Sequence, residues 1–217
     1  MSRGGFQQLF EWAAKLAYLN LLWIIYTLMG LLVLGAGPAT VSLFTILRQM
    51  LRGNDHDPIW QTFHRTYRQE FWKANQLMIP IYLVGGFIYL DFMFIQALPY
   101  SFLIDNIVFP ALLLLTVLFI LAAGYLFTAY VHVDVSSGIY IKYALVMIGL
   151  YPLFSILMFF SLSIFAVVLF IFPAILPFYG VSIAAFIVIS CASRAFDSFI
   201  SAKNIQKEPI DKKNHTI

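Results

Sequence analysis

The chain has 217 residues, of which 62% are hydrophobic and 11% charged, with mean hydropathy +0.88 and net charge +3. A soluble domain carries about 45–50% apolar and about 25% charged residues. The composition therefore excludes a soluble globular enzyme, a disordered chain and a nucleic-acid-binding domain, and it points to an integral membrane protein.

A spanning helix needs about 20 apolar residues. Residues 16–34 form the first candidate. They outrun the roughly 7–15-residue core of a signal peptide, so they read as a retained span. Residues 77–98 and 102–130 are the second and third. Between Lys142 and Arg194 no charged residue occurs. That stretch is too long for one crossing at about 1.5 Å per residue. Pro173 and Pro177 mark the break, because proline interrupts a helix and disfavours helix just before it. The fourth and fifth spans then fall near 144–170 and 175–193. The expected fold is an all-α bundle of about five transmembrane helices in a single domain, 1–202, followed by a polar tail over 203–217.

Lysine and arginine counts orient the chain. With five spans, eleven of the thirteen fall on one side, in residues 38–75, 131–142 and the C-terminus, against Arg3 and Lys15 on the other. The C-terminus is expected inside the cell membrane and the N-terminus outside.

The inner connection carries two amphipathic helices, about 40–52 and 58–73. Val41, Phe44, Leu47 and Leu51 share one face of the first, Arg48 and Arg52 suit its C-terminus, and Gly53 ends it. Asp57-Pro58 reads as an N-cap with proline at the first helical position. Trp60, Phe63, Tyr67 and Phe71 form a stripe on the second helix, with Arg65 and Arg68 beside it. Such helices lie on the inner leaflet against the bundle, dock a cytoplasmic partner, or recognise anionic lipid. The candidate partner surface is Trp60, Phe63, Arg65, Tyr67 and Arg68.

Asp91 lies inside the second span. An intramembrane carboxylate is a functional-site candidate and needs a partner. Lys15 at the outer end of the first span supplies one, and Asp105 sits near the outer start of the third. The readings of Asp91 are a structural or protonated residue, one that lines a substrate path, or one left among the headgroups. Asn20, one turn into the first span, is positioned to hydrogen-bond a neighbouring helix. Gly35, Gly37, Pro38 and Thr40 form an expected elbow between the first span and the next helix: glycines for unusual backbone angles, proline to stop, threonine to cap. Asp55-His56-Asp57 and His132-Val133-Asp134 each offer too few ligands for a metal. Ser136-Ser137-Gly138 reads as a turn. The single cysteine, Cys191, excludes an internal disulfide. No phosphate loop, triad or paired-carboxylate arrangement stands out, so neither cofactor nor enzymatic activity is expected.

Leu19-Asn20-Leu21-Leu22-Trp23, Gly35-Ala36-Gly37-Pro38-Ala39-Thr40, Leu51-Arg52-Gly53, Thr62-Phe63 and Phe71-Trp72-Lys73-Ala74-Asn75 together resemble the YesL-like family of bacterial membrane proteins, a domain family of unknown function. The likeness covers about residues 10–85. It implies a small polytopic protein that assists carbohydrate uptake or sensing, with a membrane transporter or sensor kinase as partner besides the bilayer itself. A small permease with a polar path near Asp91 and Asn20 is the alternative.

Overall fold

The computed structural model describes residues 5–54, 57–99, 101–132 and 137–214, by backbone alone at 5–6, 137–138 and 200–214. Among these, seven α-helices follow one another: α1 Gly5–Met29, α2 Val33–Leu51, α3 Ile59–Ala97, α4 Phe109–His132, α5 Ser137–Leu150, α6 Pro152–Ile171 and α7 Leu176–Asn214. A wide π-type turn, Ile104–Val108, leads into α4, and a 3-10 turn, Pro173–Ile175, leads into α7. No strand occurs among the described residues. Five segments are long and apolar enough to cross a bilayer: Gln7–Met29, Ile59–Ala97, Ile104–His132, Pro152–Ile171 and Pro173–Phe199. The number matches the expectation, and several boundaries do not.

The elbow is displaced. Gly35, Gly37, Pro38 and Thr40, expected to form it, lie inside α2. The chain turns instead at Gly30-Leu31-Leu32, where Leu31 and Leu32 take φ of 58° and 64°. Non-glycine residues pay about 1–2 kcal/mol each for that conformation. Local bonds hold it: the Gly30 N–H donates to the Tyr26 carbonyl (3.1 Å) and the Leu32 N–H to that of Thr27 (2.9 Å). Gly35 still serves the turn, by contact and not by conformation. A Cβ there would lie 2.4 Å from the Thr27 carbonyl oxygen, so α2 leaves the elbow closely against α1. Pro38 is tolerated within α2, and the Ser42 hydroxyl donates to its carbonyl (2.8 Å). Thr40 caps nothing. Its hydroxyl donates to the Ala36 carbonyl (2.7 Å) and accepts from the Trp23 indole N–H (3.0 Å).

α2 is a core helix, which corrects its reading as an interfacial one. Val41, Leu43, Phe44, Ile46, Leu47 and Met50 are all buried, because α2 packs against α1, α3, α4 and α7 together. The physical signal is the width of its apolar face: a helix apolar around most of its circumference is buried. Its end is as expected. Gly53 has φ of 70°, and the Gly53 and Asn54 N–H groups close back on the carbonyls of Met50 (3.2 Å) and Gln49 (3.0 Å). This is a glycine-terminated Schellman arrangement.

The second amphipathic helix and the second span are one continuous rod, α3. Nothing in Lys73-Ala74-Asn75-Gln76 opposes helix, and Pro80 is accommodated inside it. Helix starts at Ile59 after Pro58, so Asp57 is not the cap; its carboxylate faces Arg65 at 3.6 Å. The fourth span, expected as one helix over 144–170, is divided into α5 and α6 at Tyr151, because Pro152 opens α6 and restrains the residue before it. The fifth passes its expected end and stays helical to Asn214, taking in most of the 203–217 segment expected as a separate tail.

The large apolar side chains on the outside suit hydrocarbon and not water. Phe87, Ile164 and Phe170 are exposed by 67%, 65% and 89%. On a soluble monomer such surface marks an interaction site. On a bundle with five helices long and apolar enough to cross a bilayer, such surface suits contact with lipid.

Candidate functional site

The N-terminal part of α3 divides the expected partner surface in two. Phe63 and Tyr67 point inward and are buried with Tyr26 of α1. The Tyr26 ring centroid lies 5.0 Å from that of Phe63, 4.8 Å from Tyr67 and 5.6 Å from Trp60. The Tyr67 hydroxyl donates to the Tyr26 carbonyl (3.1 Å), and the Tyr26 hydroxyl pairs with His64 Nδ1 (2.8 Å). These contacts lock α3 to the turn at Gly30, whose Cβ position lies 2.6 Å from the Tyr67 hydroxyl. Trp60 remains 48% exposed and Trp72 77%, and His64, Arg65 and Arg68 are exposed on the same stretch. A rigid inner stripe thus presents an outer face of two tryptophans and two arginines.

Asn20 is fully buried and is a pin between α1 and α7. Its Nδ2 donates to the Pro177 carbonyl (2.7 Å), and its Oδ1 accepts from the N–H groups of Val181 (2.9 Å) and Ser182 (3.0 Å). Three of its four hydrogen-bonding places are filled. The side chain therefore stabilises the proline-opened start of α7. Trp12 continues the same contact at Phe186, with centroids 5.6 Å apart.

A polar cluster gathers where α2, α4 and α7 meet. Arg48 donates from Nη1 to the Val131 carbonyl (2.5 Å), His132 Nδ1 bonds the Thr128 carbonyl (2.9 Å), and the His132 ring stacks on Phe196 at 5.6 Å. Burial, and then the neighbouring Arg52, lower the Arg48 pKa, while Asp197 works the other way. The guanidinium stays charged regardless. Nearby, the Tyr130 hydroxyl donates to the Glu70 carboxylate (2.5 Å). The long-range pairs were not legible in the sequence. Arg48 and Val131 stand 83 positions apart and Tyr130 and Glu70 60 apart, as Tyr26 and His64 stand 38 apart, and no local pattern joins them.

Asp91 is brought to neither Asn20 nor Lys15. Its side chain is exposed on the outside of α3 and makes no hydrogen bond or ion pair among the described residues. It borders an apolar cleft of about 450 Å3 between α3 and α4. Asp105 is also exposed, its Oδ2 accepting from the Ser101 N–H (3.3 Å). Lys15 is half-buried on α1. Among the described residues no three His, Cys, Asp or Glu side chains gather as metal ligands. Residues 55, 56, 133, 134 and 136 of the short motifs considered above lie outside the described residues.

A family model described as protein of unknown function, DUF624, matches residues 16–92. Three Bacillus subtilis (strain 168) proteins are similar over longer stretches. The uncharacterized protein YteU is 34% identical over 177 residues, covering 81% of this chain and 78% of its own. The uncharacterized protein YesL is 33% identical over 132 residues, 60% of each chain, and the uncharacterized protein YesV 29% identical over 188 residues, 86% and 88%. No solved structure matches.

Proposed function

The chain belongs to the DUF624 family, and we propose that it is a multi-pass plasma-membrane protein without chemistry of its own, an accessory component that docks a transporter or sensor kinase. The observation carrying this reading is the divided face of α3. Phe63 and Tyr67 fix the helix on Tyr26, while Trp60, Arg65, Arg68 and Trp72 remain exposed. Tryptophan and arginine are the residue types enriched at interface hot spots, and a preorganised surface loses less entropy on binding. Carbohydrate uptake or sensing as the setting comes from the family resemblance and rests on that alone.

The permease alternative needs Asp91 and Asn20 on one polar path. Asn20 is engaged by α7 and Asp91 faces away from the bundle interior, which favours the accessory role. The lysine and arginine distribution supports a cytoplasmic C-terminus, and an odd number of spans supports an external N-terminus. Reporter fusions at both ends test that orientation. Crosslinking and affinity purification from native membranes test the docking role. The wild-type chain is expected to retain a membrane partner that Trp60→Ala with Arg68→Ala releases. A variant that folds and keeps every partner overturns the reading.

A further inference from the structure

We propose that the cleft beside Asp91 holds one acyl chain of a phospholipid whose headgroup carries a primary ammonium, and that Asp91 receives that ammonium. The cleft, about 450 Å3, lies between the end of α3 and the start of α4. Ile95, Leu98, Ile104, Val108, Ala111 and Leu115 wall it, and Asp91 is the charged residue in its lining. Ile104 and Val108 reach it from the π-type turn. Such wide turns recur at functional sites because they re-aim side chains that a regular helix would stack.

Charge selects the occupant. A carboxylate facing hydrocarbon is costly unless it is paired or reaches the interface. Asp91 has no partner among the described residues. Among the described residues no lysine or arginine pairs with Asp91, none occurs along the chain between Lys73 and Lys142, and Asp91 is the charged residue in the cleft lining. The missing cation must come from outside. An apolar trough with a single carboxylate in its lining fits an amphiphile with positive charge at the polar end. Asp91 stands six residues before the end of α3 at Ala97, about 9 Å along the helix axis, so a headgroup ammonium dipping below the interface meets it. N–H donors on that ammonium form the short charge-assisted bonds that a carboxylate accepts best.

The test is native mass spectrometry of the full-length protein released from detergent with equal amounts of phosphatidylethanolamine and phosphatidylglycerol of identical chains. The wild-type protein is expected to carry phosphatidylethanolamine in about tenfold preference, the ratio that about 1.4 kcal/mol gives. Asp91→Asn should bring the ratio close to one, and Asp91→Glu should keep most of it. Ala111→Phe fills the cleft while leaving the carboxylate, and it should lower bound phosphatidylethanolamine. Gel filtration and circular dichroism check that each variant is folded. Equal retention of the two lipids by the wild type, or an unchanged ratio in folded Asp91→Asn, overturns the proposal. An Asp91-dependent dimer in place of a lipid adduct does so too.

Discussion

Replacing Asn20 by leucine tests whether the start of α7 depends on α1. The substitution keeps roughly the side-chain volume and removes all three hydrogen bonds, leaving the Pro177 carbonyl and the Val181 and Ser182 N–H groups without that partner. Interhelical hydrogen bonds in membranes are worth about 0.6 kcal/mol on average and about 1.7 at most. Three of them sum to about 2 kcal/mol, or roughly a thirtyfold shift in the folding equilibrium at about 1.4 kcal/mol per tenfold. The loss should fall where α1 meets α7, because Trp12 on Phe186 extends the same contact. Reversible unfolding of purified protein in mixed micelles with increasing dodecyl sulfate, followed by tryptophan fluorescence, measures it. Asn20→Asp retains an acceptor for both N–H groups but loses the donor to the Pro177 carbonyl and buries a charge, so it should cost no less than Asn20→Leu. An Asn20→Leu protein as stable as the wild type would refute the pinning role.

Further expectations concern the elbow and α3. Gly35→Ala places a Cβ 2.4 Å from a backbone oxygen and should destabilise by about 1–3 kcal/mol, as overpacking does, while Gly86→Ala, with open space around it, should be close to neutral in the same unfolding assay. Leu31→Gly relieves a left-handed leucine that is 80% exposed and should raise the unfolding midpoint, with a gain on the order of 1 kcal/mol. Phe63→Ala empties a fully buried site against Tyr26 and should cost about 3–5 kcal/mol. Trp60→Ala, at a half-exposed position, should cost much less than Phe63→Ala by thermal denaturation in detergent. Equal losses for Phe63→Ala and Trp60→Ala would contradict the inward and outward division of that helix.

Composition and hydropathy determined the all-helical class of this protein and the number of its helices long and apolar enough to cross a bilayer, because a bilayer sets one length and polarity for every crossing. Local chemistry also determined Gly53 as the end of α2 and Phe172-Pro173 as a break, since positive φ and proline act within a few residues. What the tertiary structure decided depends on neighbours. Whether the apolar face of α2 meets lipid or four other helices cannot be read from its own residues. The elbow fell on Leu31-Leu32, which no local rule selects, because Gly35 and the bonds to Tyr26 and Thr27 fix the chain there. Asn20 was recognisable as a polar side chain that must find a partner. That the partner is the proline-opened start of α7, more than 150 positions away, follows only from how α1 and α7 pack. Asp91 kept the unusual character its sequence position gave it. Packing turned it outward, toward a cleft shared with α4 rather than toward Lys15.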